Sequence, residues 1–376
     1  MHKAKVLHID NSVGYTGGFR ALVDYIISEK DKVKSVVILP KGSKCVTFLE
    51  KEGIQYYEMP LLEIRKSIKS ILLYFPMLFV NAWKVKYIIE KERIDVLHSN
   101  DLYNMVFYVA RFMASVKKPI VTHIRLMPSA YNAQLYGVWR YIHIHFSDRI
   151  IAVSKAVKDR FNYEAMQVVY DSGSNKENYP LYQVSNNIEP EFNFLYLSNY
   201  IAGKGNDLAL EAYILLRNRN IKVTLTFAGG TLSNKKNELF KLHLMQRAKE
   251  MGVSDRVFFE EFADDVEFKM KQYDAMLNFS VSESFSMTCF DALRFGIPLI
   301  ASDCGGPAEL FEHEKSGLLV RNGDVVGMSD AMCIMASNQK MREKFSVNSR
   351  LYIAERISKS NNFHQLSEVF IGLVKG

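Results

Sequence analysis

Short apolar runs rich in Val, Ile, Leu and Phe recur along the chain, separated by longer stretches with the three-to-four-residue spacing of amphipathic helices. In the first half they are Lys5–Ile9, Ser35–Leu39, Asp95–Ser99, Pro119–His123, Arg149–Val153 and Gln167–Tyr170. This alternation predicts βαβ units and a parallel sheet. A polar, turn-rich stretch from Asp171 through Pro180 to Pro190 interrupts it. The rhythm restarts with Phe192–Leu197, Lys222–Phe227, Val257–Phe259, Ala275–Phe279, Pro298–Ala301 and Gly317–Val320. Two α/β domains are therefore expected, at 1–178 and 190–356, with a C-terminal helix at about 357–376 packing back on the first. Ligands of parallel sheets sit beyond the carboxyl ends of the strands. Two such domains with their strand ends facing predict a cleft.

Length supports this division, because 376 residues exceed the size that one core usually serves. With 48% hydrophobic and 24% charged residues the composition excludes a disordered or fibrous chain. Charge is uneven: 26 Lys and Arg stand against 17 Asp and Glu through Glu177, and 22 against 24 beyond it, so the halves carry +9 and −2. A basic first half suits an anionic partner, such as a membrane surface, a lipid phosphate or nucleic acid, and equally a plain solvated basic surface. Cys45, Cys289, Cys304 and Cys333 show neither metal-ligand spacing nor the density of a disulfide scaffold, which fits reduced thiols in cytosol. Val6–Ile9 is too short for a signal-peptide core.

The longest apolar stretch, Ile71–Val80, contains Pro76 and is about half the ~20 residues needed to cross a bilayer. Aromatic residues within it and lysines on its flanks (Lys66, Lys69, Lys84, Lys86, Lys91) describe a helix lying in a membrane interface. A buried helix-loop-helix with snorkelling lysines fits the same pattern.

Candidate chemistry gathers after the strands. The first strand runs into Asn11-Ser-Val-Gly-Tyr-Thr-Gly-Gly18 before a helical pattern; Gly17 and Gly18 suit close approach of a ligand to backbone N–H groups. In the second half, Leu195-Tyr-Leu-Ser-Asn-Tyr-Ile-Ala-Gly-Lys-Gly205 puts Lys204 at a helix start, where free N–H groups and a cation favour a diphosphate. The densest signal is Ser282-Glu-Ser-Phe-Ser-Met-Thr-Cys-Phe-Asp-Ala-Leu293, followed by Gly296–Ser302 and Gly305-Gly-Pro-Ala-Glu309. If the span from Glu283 to Asp291 were helical, its carboxylates would stand about 12 Å apart along the axis, beyond the ~5–9.5 Å of hydrolase pairs. They suit two ends of one long ligand better than an acid/base pair. His143-x-His145 reads as two imidazoles on one face of a strand with no third ligand nearby, so no metal is expected there. The scattered Phe and Tyr residues give no base-stacking platform, and no nucleic acid is expected.

The pattern of Glu283 to Asp291, Gly296 to Ser302 and Gly305 to Glu309 resembles the retaining family-4 glycosyltransferases of GT-B fold. The likeness extends to Asp274, Lys204-Gly205, Gly17-Gly18 and the strands ending near His98 and His123. It implies two Rossmann-like domains facing across a cleft, and sugar transfer from a UDP- or GDP-sugar to a hydroxyl acceptor with retained configuration and no metal or cofactor. By position, Glu283 would contact the transferred sugar. Ser284, Phe285, Ser286 and Met287 would meet sugar and phosphate oxygens, and Asp291 the ribose. Lys204 would hold the diphosphate, Gly17 and Gly18 would approach it, and His123, with Arg125, would line the acceptor side. Glu283, His123 and Lys204 are the expected catalytic residues.

The sequence departs from the pattern in three places. Asn199 replaces the usual phosphate-loop arginine, with Arg125 and Arg294 as candidate substitutes. Asp291 is one methylene short. Ser284 and Ser286 stand where glycines are usual, which implies backbone angles suited to non-glycine residues. The basic first half and the Ile71 region point to a polyprenyl-linked glycan acceptor in bacterial surface polysaccharide assembly, at the inner face of the cell membrane. Two rival readings share the architecture: a nucleotide-sugar 2-epimerase and a non-catalytic nucleotide- or glycan-binding protein.

Overall fold

The computed structural model describes residues 3–61, 68–172, 191–217, 219, 221–232, 234–261 and 265–375, and of 68–72 and 357–360 the backbone alone. The chain divides into two compact units, Met1–Asn175 with Ser360–Gly376, and Lys176–Lys359. The domain boundary expected at 178–190 lies outside the described residues.

Among the described residues of the first unit seven strands alternate with helices: β1 (Ala4–Ile9), α1 (Gly17–Ser28), β2 (Val33–Pro40), α2 (Val46–Lys51), β3 (Gln55–Met59), α3 (Ile68–Glu92), β4 (Val96–Ser99), α4 (Val106–Met113), β5 (Ile120–Ile124), α5 (Ala133–Phe146), β6 (Arg149–Ala152), α6 (Lys155–Phe161) and β7 (Gln167–Val168). The sheet order is β3-β2-β1-β4-β5-β6-β7, and every pairing is parallel. Burial on both faces explains the nearly continuous apolar strands. Leu7, Ile9, Val36, Ile38 and Leu97 pack on one side with Tyr74, Leu78, Val85 and Phe107 of α3 and α4. Val6, Val37, Val96 and Val121 pack on the other with Phe19, Leu22 and Tyr25 of α1.

The sequence pattern missed β3. Gln55-Tyr-Tyr-Glu-Met is short, half-exposed and paired, among the described strands, with β2 alone at the sheet edge, so it lacks the apolar run of a central strand. Of the two readings of the Ile71–Val80 stretch, the helix-loop-helix is corrected: α3 runs unbroken through Pro76 for 25 residues. The amide hydrogen bond that proline removes is offset by packing on either side of it, from Tyr74 to Leu78, Ala82, Val85 and Ile88.

The second unit comprises β8 (Phe192–Leu197), α7 (Asn206–Arg217), β9 (Val223–Ala228), α8 (Lys235–Glu250), β10 (Val257–Glu260), α9 (Val266–Met270), β11 (Ala275–Asn278), α10 (Met287–Phe295), β12 (Leu299–Ser302), β13 (Leu318–Val320), α11 (Val325–Ser337) and α12 (Gln339–Ser360). Its parallel order is β10-β9-β8-β11-β12-β13. Phe194, Tyr196, Leu225, Phe227 and Leu277 meet Leu210 and Tyr213 of α7 and Met328 and Met332 of α11 in its core. Asp274 accepts the Asn193 N–H at 2.8 Å and ties the start of β8 to β11. Because the strand order reverses between β8 and β11, the loops after these two strands converge at the switch point where such sheets bind ligands. A last helix, α13 (Asn362–Lys375), belongs to the first unit and contacts β1 and β4.

Candidate active site

The two convergent loops of the second unit carry Lys204 and Glu283, and their side chains meet. Lys204 Nζ donates to Glu283 Oε1 at 2.6 Å, and Ser280 Oγ donates to the same oxygen at 3.0 Å. Burial opposes the ammonium charge, but the Glu283 carboxylate outweighs it and raises the Lys204 pKa above its usual value. The lysine backbone is fixed as well, since its carbonyl accepts from the Tyr196 hydroxyl at 2.5 Å. Gly205 has φ +78°, and a Cβ there would lie 2.1 Å from the Phe279 carbonyl oxygen. Only glycine lets the turn into α7 press this closely on the end of β11.

Glu283 sits in a loop, paired by a β-bridge with Gly305; its carbonyl accepts from Gly306 N at 2.8 Å. A Cβ on Gly306 would stand 2.3 Å from the Ser284 carbonyl oxygen, so the second glycine pair exists to let these loops touch. The continuous helix considered between Glu283 and Asp291 is not formed, because α10 begins at Met287 and Ser286 is its N-cap. Ser286 Oγ accepts from Cys289 N at 3.3 Å and from Asn278 Nδ2 at 3.2 Å. The expectation that this loop has angles suited to non-glycine residues fails at Ser286, whose φ is +75°. The strain of a left-handed serine is local to the helix start, where Phe285 and Met287 are both buried.

Asp291 lies inside α10, fully buried, with Oδ1 2.9 Å from Arg294 Nη2. Arg294 is therefore engaged by Asp291, which weakens its claim as a substitute phosphate cation. Asn199 Oδ1 accepts from Gly230 N at 3.1 Å, tying the loop after β8 to the one after β9. A neutral amide thus makes a loop-to-loop bond where a cation is usual.

In the first unit, Gly17 opens α1 behind Thr16, whose hydroxyl caps the helix by accepting Phe19 N. A Cβ on Gly18 would come 3.3 Å from Arg125 Cδ. Arg125 is buried, and its Nη1 reaches both Asp171 oxygens at 2.5 and 2.7 Å while its Nε donates to Asn100. This neutralisation counts against Arg125 as the missing phosphate cation. His123 is buried on β5, with Nδ1 3.4 Å from Arg125 Nη2 and Nε2 without a hydrogen-bond partner among the described residues. Burial, then the nearby guanidinium, holds its pKa well below the usual value, so the imidazole is neutral. His8 and His98 of β1 and β4 join it, with Nδ1 atoms 2.8 Å apart. Asp101 accepts from Tyr131 beside them, and burial raises its pKa to about 6.

Sequence reasoning missed Ser280, Tyr196 and Asn278, whose signal was a polar residue at or just beyond the end of a buried strand. It missed Asp171 and Asn100, whose link to Arg125 arises only when distant loops meet. The His143-x-His145 strand reading is corrected: both lie on α5, where a two-residue step turns them to different faces. His143 is buried against Tyr108 and Thr122, whereas His145 stacks on Tyr141. Glu309 closes a single 3-10 turn, and its carbonyl accepts from Arg356.

Two parallel-sheet units with convergent loops at the strand ends define the GT-B fold. The second unit matches the family model described as glycosyl transferases group 1 over residues 180–352, and the first matches the one described as Glycosyltransferase Family 4 over 46–164. The chain belongs to the group 1 glycosyltransferases of GT-B fold. It is 20% identical over 334 residues to the N-acetyl-α-D-glucosaminyl L-malate synthase of Bacillus anthracis, covering 83% of this chain and 84% of that one. It is 25% identical over 317 residues to the O-antigen biosynthesis glycosyltransferase WclY of Escherichia coli, covering 77% and 82%. Among solved structures, Anabaena HepE in complex with UDP and glucose superposes with a TM-score of 0.80 at 20% identity, covering 97% of this chain and 99% of that one.

Proposed function

We propose that the protein moves a sugar from a nucleotide-sugar to a hydroxyl of a lipid-linked glycan, with retention of configuration and without a metal ion. The observation that carries this reading is the Lys204–Glu283 contact, braced by Ser280, at the switch point of the second sheet. A cation there can neutralise a departing diphosphate, and a carboxylate beside it can hold hydroxyls of the sugar. The neighbouring start of α10 offers backbone N–H groups to oxygen ligands. A UDP-sugar is the favoured donor, given that HepE was solved with UDP and glucose. The O-antigen assignment of WclY supports a surface-glycan acceptor.

In the proposed step the acceptor oxygen bonds to the anomeric carbon as the bond from that carbon to the phosphate oxygen breaks. The electron pair leaves with the diphosphate, whose oxygen takes the acceptor proton on the same face. Lys204 offsets the charge that develops, and Glu283 orients the sugar. Neutral His123, with its buried Nε2, belongs to the acceptor side of this scheme.

A thermal-shift screen with UDP, GDP, ADP and their sugars tests the reading. A ligand at 100 times its Kd adds about 2.7 kcal/mol of stability, so the true donor nucleotide should raise Tm by several degrees. Silence toward every nucleotide would sink the proposal. Conversion of UDP-N-acetylglucosamine without acceptor would instead favour an epimerase.

A further inference from the structure

Helix α3 has a face that is left exposed among the described residues. Its inner side supplies Tyr74, Leu78, Ala82, Val85, Ile88 and Ile89 to the core. On the opposite side Leu73, Phe75, Phe79, Val80, Trp83 and Tyr87 are 43 to 61% exposed. At 100° per residue these six fall within about half the helix circumference, so they form one patch instead of scattered exposures.

The charges on this helix match the patch to a particular partner. Lys84 is exposed; Lys86 Nζ lies 5.3 Å from the Trp83 ring, and Lys91 Nζ 5.9 Å from the Tyr87 ring. Of the two acids in Leu73–Glu92, Glu92 is bonded to Lys5 and Tyr57, leaving Glu90 alone to offset three lysines. Lysine is depleted from protein–protein interfaces, whereas aromatic residues beside lysines are the composition of the bilayer interface. From Leu73 to Tyr87 the patch is about 21 Å long, and no helix among the described residues is long and apolar enough to cross a membrane.

We infer that the outer face of α3 docks on an anionic phospholipid bilayer, the helix lying in the headgroup plane with its aromatic side chains among the acyl chains. The inner face of the same helix lines a pocket with Tyr74, Met77, Leu78 and Asn81, next to Asn11 and Asn104. Docking therefore holds this pocket one helix diameter, ~10 Å, from the lipid surface. That consequence rests on the glycosyltransferase reading and makes the acceptor an amphiphile delivered from the bilayer, while the docking itself does not depend on it.

The test is co-sedimentation of the full chain with vesicles of phosphatidylcholine alone and of phosphatidylcholine mixed equally with phosphatidylglycerol. Wild type should bind the mixed vesicles at least about tenfold better and lose that advantage in high salt. Phe79→Ser/Trp83→Ser and Lys84→Glu/Lys86→Glu should each weaken binding by about tenfold or more while keeping the nucleotide-induced Tm shift. Absence of wild-type binding to mixed vesicles, or equal binding by both variants, overturns the proposal. So does a wild-type dimer in solution that Trp83→Ser dissolves, because a second copy would then occupy the face. Vesicle binding without any nucleotide response would sink the catalytic reading and leave the docking intact.

Discussion

Lys204 Nζ and Glu283 Oε1 stand 2.6 Å apart although 79 residues separate them in sequence. The pair forms because β8 and β11 are neighbours in the sheet, so that each strand's following loop delivers one partner. In the proposed reaction the two act as one unit. Lys204→Ala and Glu283→Ala should each lower transfer by two orders of magnitude or more, and the double variant should cost little beyond the worse single one. Steady-state rates with a fixed donor measure this; near-wild-type turnover in both single variants would refute the assignment.

Gly205→Ala should damage the same site through the backbone. The new methyl would occupy a left-handed position 2.1 Å from the Phe279 carbonyl oxygen and 2.6 Å from the Tyr196 hydroxyl. Left-handed strain and overpacking together should cost about 2–4 kcal/mol. Denaturant titration of the variant gives the number, and a loss under 1 kcal/mol would mean that the turn readily opens.

Ser286 makes a prediction of sign. Its φ of +75° favours glycine, while its hydroxyl caps α10. Ser286→Gly should relieve about 1 kcal/mol of strain for a few tenths lost from the cap. Ser286→Ala keeps the strain and loses the cap, at about 1 kcal/mol. Midpoints that move in the same direction for both variants would contradict this balance.

Arg125→Ala should destabilise the first unit by about 3–5 kcal/mol, because it leaves the buried Asp171 carboxylate unpaired. Lysine should not restore the loss, since one ammonium cannot reproduce contacts to both Asp171 and Asn100. Recovery of wild-type stability in Arg125→Lys would show that charge alone matters.

Acid should weaken the first unit well before general carboxylate protonation. Burial lowers the pKa of His8 and His143 to about 3, and holds His98 and His123 well below the usual 6.5. Below pH 6.5 the unfolded chain binds protons that the folded chain refuses, so stability falls as pH falls, by ~1.4 kcal/mol per unit for each such group. Asp101, raised to about 6 by burial, and Asp171, also raised, act in the opposite sense over a narrower window. Four groups outweigh two, and Tm should drop steadily from pH 6.5 to 5. A flat profile would mean that the imidazoles are protonated in the folded state.

Much of the architecture could be read from sequence because parallel strands are buried on both faces and announce themselves as apolar runs. The edge strand β3 could not, as one of its sides is half solvated. Lys204 and Glu283 were legible as separate loop motifs. Their contact was not, nor was the engagement of Asp291 by Arg294 or of Arg125 by Asp171, since each depends on side-chain reach within a folded unit. Ser286 shows the opposite limit. Residue type argued for ordinary backbone angles there, and the constraint of capping α10 while seating Phe285 prevailed.

Helix α13 bears on the order in which the molecule can be made. Phe363, Leu366 and Phe370 pack in the core around Tyr25, and Ser367 bonds Tyr25 and Glu29 across 342 and 338 residues of sequence. The second unit is a continuous segment that can close as soon as it leaves the ribosome. The first unit, although synthesised earlier, keeps the part of its sheet's α1 face over β1 and β4 that α13 contacts uncovered until residue 370 has emerged. The part of the chain born first is therefore the last to be sealed, and during synthesis its open apolar face is the stretch most in need of a chaperone.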